Sequence, residues 1–219
     1  LAGKVIMPGL VDTHSHIGGV STGEPSSPIQ PELRVIDAFD VRDSSMQKAR
    51  AGGITTANVM SGSGLLCSGQ TLYLKLRGGN SIDDLLLTNQ AGRLAGGLKM
   101  ANGTNPRRDT PFPGTRAKAA ALVREKFIAA QEYRDKIVRA KDDPEKLPAR
   151  DLGLETLAEA LAGKRVVQHH THRADDILTV LRLQKEFGFR VVLHHVSEGW
   201  KVADEIAAAK APCSIINVD

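Results

Sequence analysis

Residues 165–218 read RVVQHHTHRADDILTVLRLQKEFGFRVVLHHVSEGWKVADEIAAAKAPCSIINV, and this stretch decides the fold. Residues 165–171 and 189–196 are short β-branched runs, residues 174–187 and 199–209 carry apolar residues at helical spacing, and residues 212–218 return to a strand pattern. Each helix is separated from the next strand by only a few residues, the alternation of a parallel sheet covered by helices. Towards the amino end, residues 152–161 and 115–140 read as helices. The longer one is Ala-rich, with Val123, Phe127, Ala130, Ile137 and Val138 near one face. Residues 98–101, set between glycines, read as a short strand, as do residues 71–76 and 54–60. Residues 36–51 have helical spacing and stop at Gly52 and Gly53. Residues 21–31 form a Pro/Ser/Gly-rich loop, and the second half of residues 5–13 reads as a buried strand. The fold class is α/β, and the choice within it lies between an open doubly wound sheet and a (β/α)8 barrel.

Composition fits this reading. The chain has 219 residues, 41% hydrophobic and 25% charged, enough to bury a core as one domain or two small ones. Charged residues and His interrupt every apolar run well before the about 18 residues of a membrane span. The net charge of +4 comes without a dense basic block or interleaved aromatics, which argues against a nucleic-acid surface. Cys67 and Cys213 are too few for a disulfide framework. Gly62 and Gly64 lack the helix start and lysine of a phosphate loop. Both ends of the sequence lie against strand-like runs and read as cut, so a targeting segment can be neither assigned nor excluded.

The chemistry gathers at the strand ends. Six of the seven histidines lie within or just after proposed strands: His14, His16, His169, His170, His194 and His195, with His172 close behind. In parallel α/β folds the carboxyl ends of the strands are where sites are built. His14 and His16 are two apart and so share a strand face, as do His170 and His172. Adjacent residues point to opposite faces, so one member of each doublet is expected to be structural, packed under a helix. Lys99, in a glycine-flanked strand, is the other singular residue: beside a divalent cation its amine would lose its proton and could add carbon dioxide to become a carbamate ligand. Arg107, Arg108 and Arg173 are candidates to grip a substrate carboxylate. Tyr73 and Trp200 read as packing residues.

Residues 3–16, GKVIMPGLVDTHSH, resemble the first barrel strand of the metal-dependent amidohydrolase superfamily. Residues 97–100 (GLKM), 166–172 (VVQHHTH) and 192–195 (VLHH) resemble, in order, its fourth, fifth and sixth strands. The likeness is closest to the imidazolonepropionase-like and prolidase-like branch. It implies a (β/α)8 TIM barrel in which His14 and His16 hold the more buried cation, carboxylated Lys99 bridges to a second, and His170 and His195 hold that second one. One or two divalent ions, zinc foremost, are implied. His172 would contact the substrate or polarise its carbonyl. The implied reaction is hydrolysis of an amide-type C–N bond in a cyclic amide, an N-acyl amino acid or a dipeptide. The family also places an aspartate after an eighth strand and a β-sandwich beside the barrel. Here the strand count reaches seven near the end of the sequence, and Asp219 is not assigned that role. The expectation is therefore a single domain over residues 1–219, a barrel incomplete at its carboxyl end, with two strand edges that a second copy or the remainder of the same polypeptide would cover. The alternatives are a mononuclear deaminase of a nucleobase-like ring, with Lys99 unmodified, and a non-catalytic piece of a larger protein.

Overall fold

The computed structural model describes residues 3–89, 92, 94–141 and 143–216; Asp219 lies outside them. Eight strands and five α-helices are present among the described residues. The carboxyl-terminal half follows the expected rhythm. β5 (Gly97–Ala101), β6 (Val166–Thr171), β7 (Val191–His195) and β8 (Cys213–Ile215) are parallel neighbours in that order. Parallel pairing needs crossover connections. These are supplied by α2 (Arg116–Ala140) with α3 (Leu152–Leu161) after β5, by α4 (Ala174–Phe187) after β6, and by a 3-10 turn, Gly199–Val202, with α5 (Ala203–Ala208) after β7.

Local chemistry explains the boundaries. The Thr115 hydroxyl caps α2 by accepting from Lys118 N–H, and Asp151 caps α3 in the same way. Gly188, at φ 73°, closes α4 in the left-handed region. Helices and sheet meet in a core where Phe127 of α2 stacks between Phe187 and Phe189, with ring centroids 5.2 and 5.1 Å away. Val123 and Ala130 are buried in the same face, which continues through Tyr133 to Ala140, whereas Ile137 and Val138, expected on it, lie off it and are exposed.

The amino-terminal half departs from the expectation in four places, the first being that Leu10 and Val11, read as part of a buried strand, are exposed. The spacing of residues 36–51 is helical only in its second half: α1 (Ser44–Ala51) begins where the Asp43 carboxylate accepts from Ser45 N–H. That cap stops the helix from extending back, and only a 3-10 turn, Val35–Asp37, precedes it. The predicted third strand is β4 (Leu72–Lys75), but it runs antiparallel to β2 (Ile54–Val59), with no helix between them. A further strand, β3 (Cys67–Gln70), pairs antiparallel with β5. It was illegible because Gly69 sits at φ 101°, where a Cβ would lie 2.4 Å from the Leu33 carbonyl oxygen, and its polar composition lacks a strand pattern. β1 (Leu10–Ser15) lies parallel to β2 and completes a sheet of three, β1-β2-β4.

The three-stranded and five-stranded sheets are joined through Thr71 N–H and Tyr73 N–H, which donate to the carbonyls of Gly97 and Ala95. At the opposite margin the Thr13 and Ser214 hydroxyls are 2.7 Å apart, bringing β1 and β8 together. The chain thus has a mixed α/β fold with eight strands, consistent with an amidohydrolase-type barrel. Among the described residues no helix is long and apolar enough to cross a membrane.

Candidate metal centre

Four strands deliver the site. β1 ends in His14 and Ser15 and is followed directly by His16; β5 carries Lys99 at its centre; β6 carries His169 and His170, with His172 just beyond; β7 ends in His194 and His195. Register aligns them: Lys99 pairs with Gln168, Ala101 with His170, and His170 with His194. Residues level with one another across neighbouring strands share a face, so Lys99, Gln168, His170 and His194 all lie on one side of the sheet. His169 lies on the other, buried, with Nδ1 3.0 Å from the His170 carbonyl, as expected for the structural member of that doublet.

The second doublet behaves otherwise. His194 Nδ1 is 3.0 Å from His14 Nδ1, and the His195 ring is 4.7 Å from that of His14 and 4.5 Å from that of His170. Both members reach the cluster. The reason is backbone geometry: His195 has φ 73° and Val196 φ 55°, so the chain leaves extended conformation at His195 and swings its ring back inward. Left-handed conformations cost non-glycine residues of order 1–3 kcal/mol and concentrate at functional sites.

Two groups of ligand atoms result. In the first, His14 Nε2 lies 3.3 Å from His16 Nε2 and 3.5 Å from Lys99 Nζ. His16 Nδ1 is 2.7 Å from the Met60 carbonyl, which can only accept, so Nδ1 carries the proton and Nε2 presents a lone pair. In the second, His170, His172 and His195 each offer a nitrogen within 4.8 Å of the others, a triad capable of coordinating a metal ion. His170 Nδ1 is buried with no hydrogen-bond partner, while its Nε2 is 3.2 Å from the Asn105 amide. His172 Nδ1 is 2.7 Å from the Ser197 hydroxyl. Ring nitrogens packed this closely, with the His14 and His16 Nε2 atoms 3.3 Å apart, are costly as lone pairs unless a cation sits between them, and imidazole donors suit zinc-like metals. The residues fit a metal.

Electrostatics point the same way. Burial holds the Lys99 amine down at about 7, and the side chain is only 1% exposed. Burial first, then neighbouring histidines and Lys99, lowers His170 to about 2; burial followed by Lys99 lowers His194 to about 3 and His195 to about 4. Burial also depresses His14, His16 and His172. The rings are therefore neutral at neutral pH, the state in which imidazole binds metal.

The remaining sequence candidates stand apart from the cluster's contacts. Arg107 Nε donates to the Gly103 carbonyl, and exposed Arg173 is paired with Asp175. Arg108 stacks over Phe112 and donates to the Gly64 carbonyl. Trp200, expected to pack, is 76% exposed in the 3-10 turn after β7, because a turn at the strand end offers no apolar surface to receive it. Tyr73 is partly buried, its hydroxyl 3.3 Å from Gln168 Nε2. Sequence reasoning missed Asn105, Gln168 and Ser197, whose types and spacing carry no ligand signature of their own.

Fold and site together define an α/β protein that gathers a histidine cluster capable of coordinating a metal ion at the carboxyl ends of its strands. Comparison with known proteins adds to this. The crystal structure of an amidohydrolase from Thermotoga maritima MSB8 superposes with a TM-score of 0.86 at 33% identity, covering 96% of this chain and 57% of that one. Amidohydrolase tasK of Hapsidospora irregularis is 28% identical over 231 residues, 92% of this chain and 23% of that protein. No protein-family profile matches the chain. The chain is thus related in sequence and structure to amidohydrolase superfamily members, and it spans little more than half of one relative and about a quarter of the other.

Proposed function

We propose that the chain builds the metal centre of a hydrolase that cleaves an amide-type C–N bond in a cyclic amide, an N-acyl amino acid or a dipeptide, within a barrel of the imidazolonepropionase-like or prolidase-like branch. The observation that carries this reading is the pair of adjoining ligand sets around buried Lys99. His14 and His16 would hold one cation and His170 and His195 the second, with carboxylated Lys99 shared between them and zinc the favoured ion. When bound, a divalent cation supplies Lewis acidity, polarising an amide carbonyl and making water acidic enough to attack at neutral pH. Lys99 contributes through its depressed basicity: the neutral amine attacks carbon dioxide, an N–C bond forms, one N–H proton leaves to solvent, and the carbamate oxygens become anionic donors. His172 is partly exposed and anchored at Nδ1 by Ser197, so its other nitrogen serves either the triad or a substrate carbonyl. Arg107 and Arg173 are the candidates to grip a substrate carboxylate, and Arg173 would first have to release Asp175.

Metal content measured together with turnover tests this. About two zinc ions per chain, with hydrolysis of at least one of the three amide classes, is the expected result. One ion with ring deamination instead favours the mononuclear alternative. No metal and no turnover sinks the enzymatic reading.

A further inference from the structure

Behind His14 runs a hydrogen-bonded chain made of His194, Gln168 and Tyr73. The Gln168 amide nitrogen lies 3.3 Å from the Tyr73 hydroxyl, and its oxygen lies 2.7 Å from His194 Nε2. His194 Nδ1 in turn lies 3.0 Å from His14 Nδ1. Gln168 and His194 are both almost wholly buried, and Tyr73, Gln168 and His194 line a cavity of about 430 Å3 together with Thr13 and Ser214.

The proton positions follow from donor and acceptor chemistry. The Gln168 oxygen can only accept, so the His194 proton sits on Nε2 and its Nδ1 carries a lone pair. A proton on His14 Nδ1 meets the His194 lone pair 3.0 Å away, whereas one on Nε2 would meet the His16 lone pair at 3.3 Å; the shorter contact, backed by the Gln168 oxygen, sets the ring. That leaves His14 Nε2 as a lone pair turned towards His16 Nε2 and Lys99 Nζ. Running the chain the other way, with the Gln168 nitrogen facing His194, would place the proton on His14 Nε2 and deny that ring to any cation.

The geometry points to Gln168 and His194 as positioning residues that hold the His14 proton on Nδ1 and so present Nε2 as a ligand atom. This rests on the metal-site reading above. His16 is set independently by the Met60 carbonyl, so the pair governs one ligand of the first cation and leaves the other alone. Metal-bound histidines depend on such partners, whose loss typically weakens metal binding about 10–100-fold.

The test uses the full chain labelled with 15N-histidine. Long-range 1H–15N spectra of the metal-free protein report which His14 nitrogen is protonated, and competition with a chromophoric chelator reports zinc affinity. In the wild type the expected result is a protonated Nδ1. His194→Leu and Gln168→Leu should give a mixed or reversed His14 tautomer and an about 10–100-fold loss of zinc affinity. His194→Asn, whose side-chain oxygen replaces Nδ1 as acceptor, should keep both near the wild-type values. Should the wild type already carry the proton on Nε2, the proposal is overturned without any variant. It is equally overturned if both leucine variants keep the Nδ1 proton and bind zinc within twofold of the wild type. A wild type with the expected tautomer that binds no zinc overturns instead the metal reading on which the ligand role depends.

Discussion

Lys99 concentrates the chemistry in one residue, and its cost is measurable. A lysine 1% exposed and lowered to about 7 loses its proton in the folded state well before it does so in the unfolded chain. Between about pH 7 and the ordinary lysine range the unfolded state binds more protons, so stability contributed by this residue rises with pH. Below pH 7 the full penalty of a buried ammonium applies. Lys99→Met should therefore stabilise the metal-free protein by about 1–3 kcal/mol at pH 6 in urea unfolding, with the gain shrinking towards pH 10, while weakening zinc binding. An equal or negative effect at pH 6 would show that the buried amine carries no such penalty. Lys99 was legible in the sequence because a lysine inside a glycine-flanked apolar strand breaks the pattern. His195 was only half legible: its type marked it, but the left-handed backbone that lets both members of its doublet face inward leaves no trace in residue spacing.

At the scale of elements, the parallel half could be read closely from β5 to α4, where periodicity is strong and Thr115, Asp151 and Gly188 mark helix ends, whereas the helix expected over 199–209 is a 3-10 turn as far as Val202 and α-helical only from Ala203 to Ala208. The amino-terminal half could not. β3 and β4 owe their antiparallel course to long-range pairing with β5 and β2, and a local pattern carries no direction. The helix layer holds the site through its core, not through the ligands. Phe127, fully buried between two aromatic rings, has no neighbour able to fill its space, so Phe127→Ala should cost about 3–5 kcal/mol by denaturant titration. A loss under 1 kcal/mol would show that α2 packs only loosely on the sheet. β1 and β8 are edge strands among the described residues, and Val5, Ile6, Val11 and Ile215 lie exposed on or beside them. Unpaired edges with apolar side chains attract other strands. Sedimentation of the 219-residue chain should accordingly show concentration-dependent association, suppressed by Val11→Lys.

For the whole molecule, the histidines make the metal-free protein sensitive to acid. Burial lowers His169 and His195 to about 4, His194 to about 3 and His170 to about 2, so each contributes stability fully above the ordinary histidine range and loses it as pH falls towards its folded value. The melting temperature should drop steadily from pH 6.5 to pH 4 in calorimetry, and bound zinc should offset the loss at the upper end of that range. A flat profile would contradict the burial of neutral rings. The ligand set has one further consequence, for the route by which the chain reaches this structure. His14 meets Lys99 across 85 residues and His194 across 180, so the centre exists only once the most distant strands have docked. Yet His14 with His16, and His170 with His172, are each near enough in sequence to chelate zinc while the chain is still unfolded. A cation present too early would staple local loops and oppose the long-range pairings that the fold requires. Refolding should thus run faster and with higher yield in a chelator, with zinc added last, than in excess zinc from the start.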